Sequence, residues 1–526
     1  MKTTIYILIF SIVLLSCKKE ATIWESDWSS PLISDTLSLN NLVNDSTLAE
    51  NSGGYLLDLD RTLFDLNITE LVNIPDTTIA EDFAFAGTLI LNPGVSFVNS
   101  IEEHNINIPD VQLKEIILTN GFIDVRVENP LGTVAIFNVK LPGVAKGGVT
   151  FEQTYFAPAA IGGNVGIVDQ SIDLAGYSLD LTGVSGGEFN MLQSLITVQT
   201  DPLGPSVEIT PSDITKVNAT FRNIKVEYAR GYFGNQIISD TSDVLIDALS
   251  AVHSGSLDLP ATTIQFIIEN GLKVTAEGSL TTVSNENYAG NIVSLTGGNI
   301  GTALNLDPAT GSWNSLVPSL KVVEFNSSNS NIESYLENLG LQHKIGYSMQ
   351  MNPWGNVSGG WDEVFPNSNL RIRMKATMPL MIGLDNLSVR DTFDVSLNQD
   401  PEKTRVISGE LILQASNGFP ISGTIKLHMI NSEGNILYTV SGSNALNSSL
   451  VGDMNTDFGF FVANSEMHFL LPEELIDVLN DVKGIIVESN FNSNNPITGI
   501  SEQQNIPFGA FLAIKLKTKF KTENRF

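Results

Sequence analysis

Residues 116–127 read Ile116-Ile117-Leu118-Thr119-Asn120-Gly121-Phe122-Ile123-Asp124-Val125-Arg126-Val127. After the Asn-Gly pair, apolar side chains alternate with charged ones, the period of a strand with one wet face. An Asn-Gly pair between two such runs signals a hairpin, because both residues accept a positive φ. The same arrangement recurs from Ile264 to Ala276 around Asn270-Gly271, and from Glu410 to Leu427 around Asn417-Gly418. From Asn120 to Asn270 is 150 residues, and from Asn270 to Asn417 is 147.

A second marker keeps the same step. Strand-like runs containing glycine lie at Phe83 to Leu91 around Gly87, Lys225 to Ile238 around Gly234, and Ile372 to Leu384 around Gly383, which are 147 and 149 residues apart. The approaches Asn107-Ile108-Pro109-Asp110 and Asp258-Leu259-Pro260-Ala261 also match. Two markers with one period predict three related units of ordinary domain size. The division expected is residues 1–16 as a signal peptide, 17–69 as a lipidated N-terminal arm, and 70–219, 220–366 and 367–526 as β-sandwich units.

Helical signals are sparse. Ser242 to Val252 opens on a capping serine, Ser330 to Leu339 places Glu333 for a capping box, and Pro472 to Lys483 begins with proline and two acids and stops at Gly484. So few helices argue against a doubly wound fold, and the expected class is all-β, with tandem antiparallel β-sandwich units and a few short helices. An outer-membrane barrel would need many strands of about ten residues and aromatic girdles. An aromatic content of 8% and long polar interruptions do not supply them.

The first twenty residues, MKTTIYILIFSIVLLSCKKE, place the protein. Lys2, an apolar run from Ile5 to Leu15 and small Ser16 before Cys17 form a secretory leader with a processing site. Leu14-Leu15-Ser16-Cys17 resembles the bacterial lipobox, in which the cysteine is acylated after cleavage; Cys17 is the one cysteine in the chain. With that cysteine committed to lipid, stability is expected from burial and backbone pairing rather than disulfides. No later run of about 18 apolar residues occurs, so the lipid at Cys17 is the membrane attachment the sequence offers. With 58 acidic against 28 basic residues the net charge is −30, which excludes nucleic acid as a partner.

The leader, Val226-Glu227-Tyr228-Ala229-Arg230-Gly231-Tyr232-Phe233-Gly234, Met351-Asn352-Pro353, Asn417-Gly418-Phe419-Pro420 and the alternating last strand together resemble the large uncharacterised outer-membrane lipoproteins of Bacteroidota. That resemblance implies a β-rich build and a lipid-anchored location, with no assigned activity. In the same lipoproteins a lysine and acids after the lipid cysteine direct display on the outer face, and Lys18-Lys19-Glu20 followed by Glu25, Asp27 and Trp28 resembles that signal. Asp35-Thr36-Leu37, Asp45-Ser46-Thr47 and Asp76-Thr77-Thr78 resemble the phylum's short O-glycosylation motif.

Residues that could carry chemistry are few. Gly183-Val184-Ser185-Gly186-Gly187 fits the nucleophile elbow G-x-S-x-G between a strand-like run and a helical candidate at Glu188 to Ile196, but a parallel sheet to hold an elbow is not indicated. His253, His343, His428 and His468 are scattered, without zinc-ligand spacing. Asp58, Asp60 and Asp65 could suggest calcium, yet Arg61 falls among them and the glycine of an EF-hand is missing.

Trp354, Trp361 and Tyr347, with Asn352, Asn356 and Asp362, form the densest aromatic and polar patch. Flat rings can cover the C–H faces of a sugar while polar groups take its hydroxyls, although such rings more often cap a core. The last strand alternates, with Lys515, Lys517, Lys519 and Lys521 on one face and Leu512, Ile514, Leu516 and Phe520 on the other. Lysines in line protect an exposed sheet edge, or form a docking edge for an acidic partner or anionic lipid.

The expectation is therefore a non-catalytic outer-membrane lipoprotein on the extracellular face, binding or scaffolding another envelope protein or a surface glycan. No cofactor or metal is expected. The alternatives are a glycan-binding accessory protein, an exported serine hydrolase using Ser185, and a carrier of an apolar ligand.

Overall fold

The computed structural model describes residues 23–38, 48–51, 54–245, 252–258, 262–379, 381–395, 397, 400, 403–500 and 502–525. The leader and Cys17 lie outside the described residues. Strands account for 62% and helices for 5% of the structure, which makes the fold all-β with a few short helices. Among the described residues every strand ladder is antiparallel, with one isolated parallel bridge from Thr182 to Met191.

Three bodies of sheet follow one another. The first is a ten-stranded sheet built on Gln112–Asn129 and Thr215–Tyr232, with Thr77–Phe83 beside the latter and Ser96–Asn105 at the other end. In the second, Gly54–Asn67, Asn369–Pro379, Thr263–Asn270 and Ser319–Phe325 form one sheet, and Ile237–Leu245, Gln342–Met351 and Ala276–Glu286 form another. The third joins Ile23–Ser38, Phe511–Arg525, Thr404–Asn417 and Phe460–Leu470 in one sheet, and Val252–Asp258, Met381–Asp394, Gly484–Asn492 and Ser422–Ile430 in another. Alternation puts Ile123, Val125 and Val127 at 0 to 1% exposure in the core, with Asp124 and Arg126 turned outward.

The repetition rests on a buried asparagine. Asn129, Asn270 and Asn417 each end a strand and are 0% exposed. Each accepts, at Oδ1, the N–H two residues on: Leu131 at 3.0 Å, Leu272 at 3.1 Å and Phe419 at 2.9 Å. Each donates from Nδ2 to the carbonyl four residues on, in Thr133, Val274 and Ile421, all at 2.8 Å. The second Nδ2 hydrogen goes to a returning segment, at Pro158, Asp307 or Asn447. Two residues further along that segment, Ala160, Ala309 and Ser449 donate their N–H back to Leu131, Leu272 and Phe419. An amide side chain can satisfy three backbone groups in a dry corner, and the same four-bond corner is built three times.

The first corner is not where the Asn-Gly pair predicted it. Asn120-Gly121 lies inside the continuous strand Gln112–Asn129, whose register against Thr215–Tyr232 shifts at four points between Arg222 and Gly231, with extra residues on both strands. Pairing along the whole strand outweighs a local turn preference, and Gly121 instead makes room for the Ile224 side chain, whose Cδ1 would lie 2.6 Å from a Cβ. Gly271 and Gly418 do not take the positive φ of a two-residue hairpin either.

The N-terminal arm is also corrected. Ile23–Ser38 pairs along its length with Phe511–Arg525, from Ile23 opposite Arg525 to Ser38 opposite Phe511, and Gly54–Asn67 pairs with Asn369–Pro379. These segments complete sheets rather than spacing the fold from a membrane. Residue 220 falls within Thr215–Tyr232, and Val252–Asp258 joins the third body's sheet, so strands are exchanged across the expected boundaries. Ser242 sits in a strand and donates to the Leu63 carbonyl, while residues 246–251 of that expected helix lie outside the described residues. Helices do form at Ile332–Glu337 and Glu473–Asp477.

Candidate functional site

Gln342–Met351 leaves the second body and returns as the short strand Asp362–Val364, which pairs with residues 229–231 at the margin of the first body's sheet. The ten residues between them, 352–361, form a loop whose polar side chains point into its own base. Asn352, 2% exposed and at φ 46°, donates to the Gly234 carbonyl and to Asp362 Oδ2 at 3.2 Å, and accepts from Thr275 Oγ1. Burial raises the Asp362 carboxyl above its ordinary range, despite hydrogen bonds from Ser358 and Asn352. Asn356 Oδ1 accepts the Gly360 N–H at 2.7 Å, and Ser358 Oγ accepts the Trp361 N–H. The amide and carboxylate groups expected to meet a ligand are thus spent on holding the loop.

The rings remain outside. Trp354 is 55% and Trp361 61% exposed. Trp361 is fixed by two cations of the first body, Lys114 Nζ at 4.7 Å and the Arg230 guanidinium at 4.9 Å from its ring, each contact contributing about 0.5–1 kcal/mol at an exposed site. Lys114 also donates to the Gly359 carbonyl at 3.1 Å, and Arg230 is paired with Glu115 at 2.6 Å. Gly360 lies against Phe189, where a Cβ would stand 2.4 Å from the ring. Beneath, Tyr228, Trp313 and Phe365 form a cluster with centroids 5.3 to 5.6 Å apart, and Tyr228 donates to Glu363 at 2.7 Å. Burial works to raise Glu363, but hydrogen bonds from Lys273 and Tyr228 hold it below the usual carboxylate range. The sequence signalled the tryptophans; Lys114 and Arg230 arrive from strands far away in the chain.

Tyr347 does not join them. It is 5% exposed, with its ring 5.4 Å from Phe64 in the core, because its strand turns that position inward. The lysine strand is not an edge: Phe511–Arg525 is paired on one side with Ile23–Ser38 and on the other with Thr404–Asn417. Its lysines keep the predicted wet face, where Lys519 meets Glu410 at 3.0 Å and Lys521 meets Glu25. Lys515 and Lys517 have no ion pair among the described residues.

The remaining candidates resolve as structure. Ser185 Oγ accepts the Gly187 N–H within a turn, and the segment after it, Met191–Thr200, is a strand rather than a helix. Among the described residues no hydrogen bond joins Ser185 to a histidine. Ser194, His104 and Glu81 do meet, but serine and carboxylate share one ring nitrogen, at 2.9 and 3.1 Å, and Ser194 is 2% exposed. A relay needs both ring nitrogens and an accessible hydroxyl. Asp58, Asp60 and Asp65 form a ladder of ion pairs with Lys375, Arg373 and Arg371. Sequence reading passed over an apolar tip on the third body, where Phe458 and Phe461 are 53% and 45% exposed on the hairpin that joins Asp453–Asn455 to Phe460–Leu470.

No family model matches the chain, and no curated protein matches it. Among solved structures, the chain is similar to a protein presumed secreted from Parabacteroides distasonis ATCC 8503, with 10% identity over 94% of this chain and 99% of that one and a TM-score of 0.27. Viral shells also match: the PBCV-1 capsid at 8% identity over 85% and 95% of the two chains with a TM-score of 0.11, and infectious bursal disease virus strain Gx at 9% over 93% and 86% with 0.13. Scores this low transfer nothing to this chain.

Proposed function

We propose that the chain is an exported, lipid-anchored outer-membrane protein, displayed on the extracellular face, that binds a surface glycan through Trp354 and Trp361 and has no catalytic role. One observation carries the binding half: two large rings are kept exposed on a loop whose polar side chains are engaged in holding it. Exposed rings held in this way offer flat apolar area at low entropic cost, which suits the C–H face of a sugar. Lys114, Arg230 and Glu115 at the rim supply hydrogen-bonding groups for hydroxyls. The location half rests on the leader and on the resemblance of residues 14–17 to a lipobox.

Protease shaving of intact cells tests display: cleavage supports it, and full protection overturns it. Retention on a panel of immobilised glycans tests binding. Wild-type protein is expected to be retained on at least one glycan and the Trp354→Ala/Trp361→Ala double variant on none. Equal retention of the two proteins, or no retention of wild type on any glycan, contradicts the reading.

A further inference from the structure

Two more tryptophans stand exposed where the described chain begins. Trp24 and Trp28 are 58% and 63% exposed, and Ile23 beside them 57%. The register is unbroken from Ile23 opposite Arg525 to Pro31 opposite Lys517, so residues four apart share a face and lie about 13 Å apart. Both rings therefore rise on the face that carries Phe520 and Asn524, away from the lysines. Large rings grouped at one end of a sheet mark a contact surface rather than chance exposure.

Chain length says what lies close to them. Trp24 follows Cys17 by seven residues (24 − 17), a reach of at most about 25 Å. A lipid on Cys17 thus confines these rings to the neighbourhood of the bilayer surface, where tryptophan is the favoured residue because it offers an apolar body and a polar N–H. Charge is mostly balanced there. An anionic leaflet repels a chain of net charge −30, but at this end Glu25 is paired with Lys521, Glu523 with Arg525 at 2.8 Å and Asp477 with Arg405 at 3.1 Å, leaving Asp27, opposite Lys521, as the nearby acid without an ion pair among the described residues.

We propose that the Trp24–Trp28 face is a second membrane contact, seated in the headgroup layer of the bilayer that holds the Cys17 lipid. It rests on the lipid-anchor reading above. The third body then stands with its Ile23–Arg525 end on the membrane and its Phe511 end directed away, about 50 Å along the strand pair.

The test uses the full lipidated protein with Trp313, Trp354 and Trp361 replaced by Phe, so that Trp24 and Trp28 alone emit. It is reconstituted in phosphatidylethanolamine–phosphatidylglycerol vesicles with and without brominated acyl chains. The expected result is emission shifted to shorter wavelength and a loss of most of it with brominated lipid. Unshifted, unquenched emission from acylated protein overturns the proposal, and so does a partner protein found to cover the rings in cells while they stay unquenched in vesicles. Intact mass separates the two failures, because a Cys17 without acyl chains defeats the anchor reading instead. In that event the soluble chain is mixed with the same vesicles, where quenching supports the face and its absence overturns it.

Discussion

The lysine strand Phe511–Arg525 and the tryptophan loop 352–361 are both conspicuous in the sequence, and the fold treats them in opposite ways. The strand's backbone is closed on both sides, by Thr404–Asn417 and by Ile23–Ser38, and two of its four lysines are ion-paired. The loop's polar side chains are also engaged, but the way they are engaged leaves Trp354 and Trp361 in solvent. Accessibility is decided by what pairs from elsewhere in the chain, not by how unusual a segment looks.

The sharpest separation of the two regions comes from the strand's buried face. Leu516 is 1% exposed, and Leu516→Ala is expected to cost about 3 kcal/mol of stability, from lost transfer energy and a residual cavity. Urea unfolding should show that loss, while glycan retention by the folded fraction stays at the wild-type level. At the loop the pattern reverses: Trp361→Ala should cost no more than about 1–2 kcal/mol of stability, that of its two cation–π contacts, and lower glycan affinity about thirtyfold, the equivalent of roughly 2 kcal/mol for an interface anchor.

Asn352→Ala links stability to binding. It removes the donor to Gly234 and Asp362, with an expected cost of about 1–3 kcal/mol, and it should weaken glycan binding without touching either ring. Unaltered binding in that variant would mean that the loop is not held by its base.

Two adjacent carboxyls give a finer test with opposite signs. Asp362 has a raised folded pKa, so its contribution is full below its unfolded value of 3.8 and is lost as pH rises through the folded value. Asp362→Asn should therefore be more stable than wild type at pH 7, with the gain vanishing at pH 3. Glu363 has a lowered folded pKa, so its contribution is present above 4.5 and lost as pH falls through the folded value. Glu363→Gln should cost stability at pH 7 and little at pH 3, as thermal melts at the two pH values would show. The smallest effect is expected at Lys519→Ala, an exposed ion pair that contributes no more than about 1 kcal/mol and should leave glycan retention unchanged.

What the sequence disclosed is what neighbouring residues decide. The alternation of Ile123, Val125 and Val127 with Asp124 and Arg126 foretold the buried and wet faces, and Pro472 with its two following acids foretold the helix Glu473–Asp477. A period near 147 was also visible, but in the first body the corner asparagine is Asn129, in Asn-Pro-Leu, not Asn120 in Asn-Gly. A turn dipeptide reports local φ preference, whereas a buried corner is defined by carbonyls returning from Pro158, Asp307 or Asn447. The pairing of Ile23 with Arg525 joins the two ends of the chain and leaves no local trace. For the same reason Trp361 could be singled out while its clamp, Lys114 and Arg230, could not, and Tyr347 was grouped with rings from which the sheet separates it.

The most direct measurement is retention on a glycan panel of wild type, Trp354→Ala/Trp361→Ala and Lys515→Ala/Lys517→Ala, each first shown to be folded by its urea midpoint. The expected result is retention of wild type and of the lysine variant, and loss for the tryptophan variant. Retention of the tryptophan variant at the wild-type level, or loss confined to the lysine variant, would contradict the assignment of the loop as the ligand-facing surface.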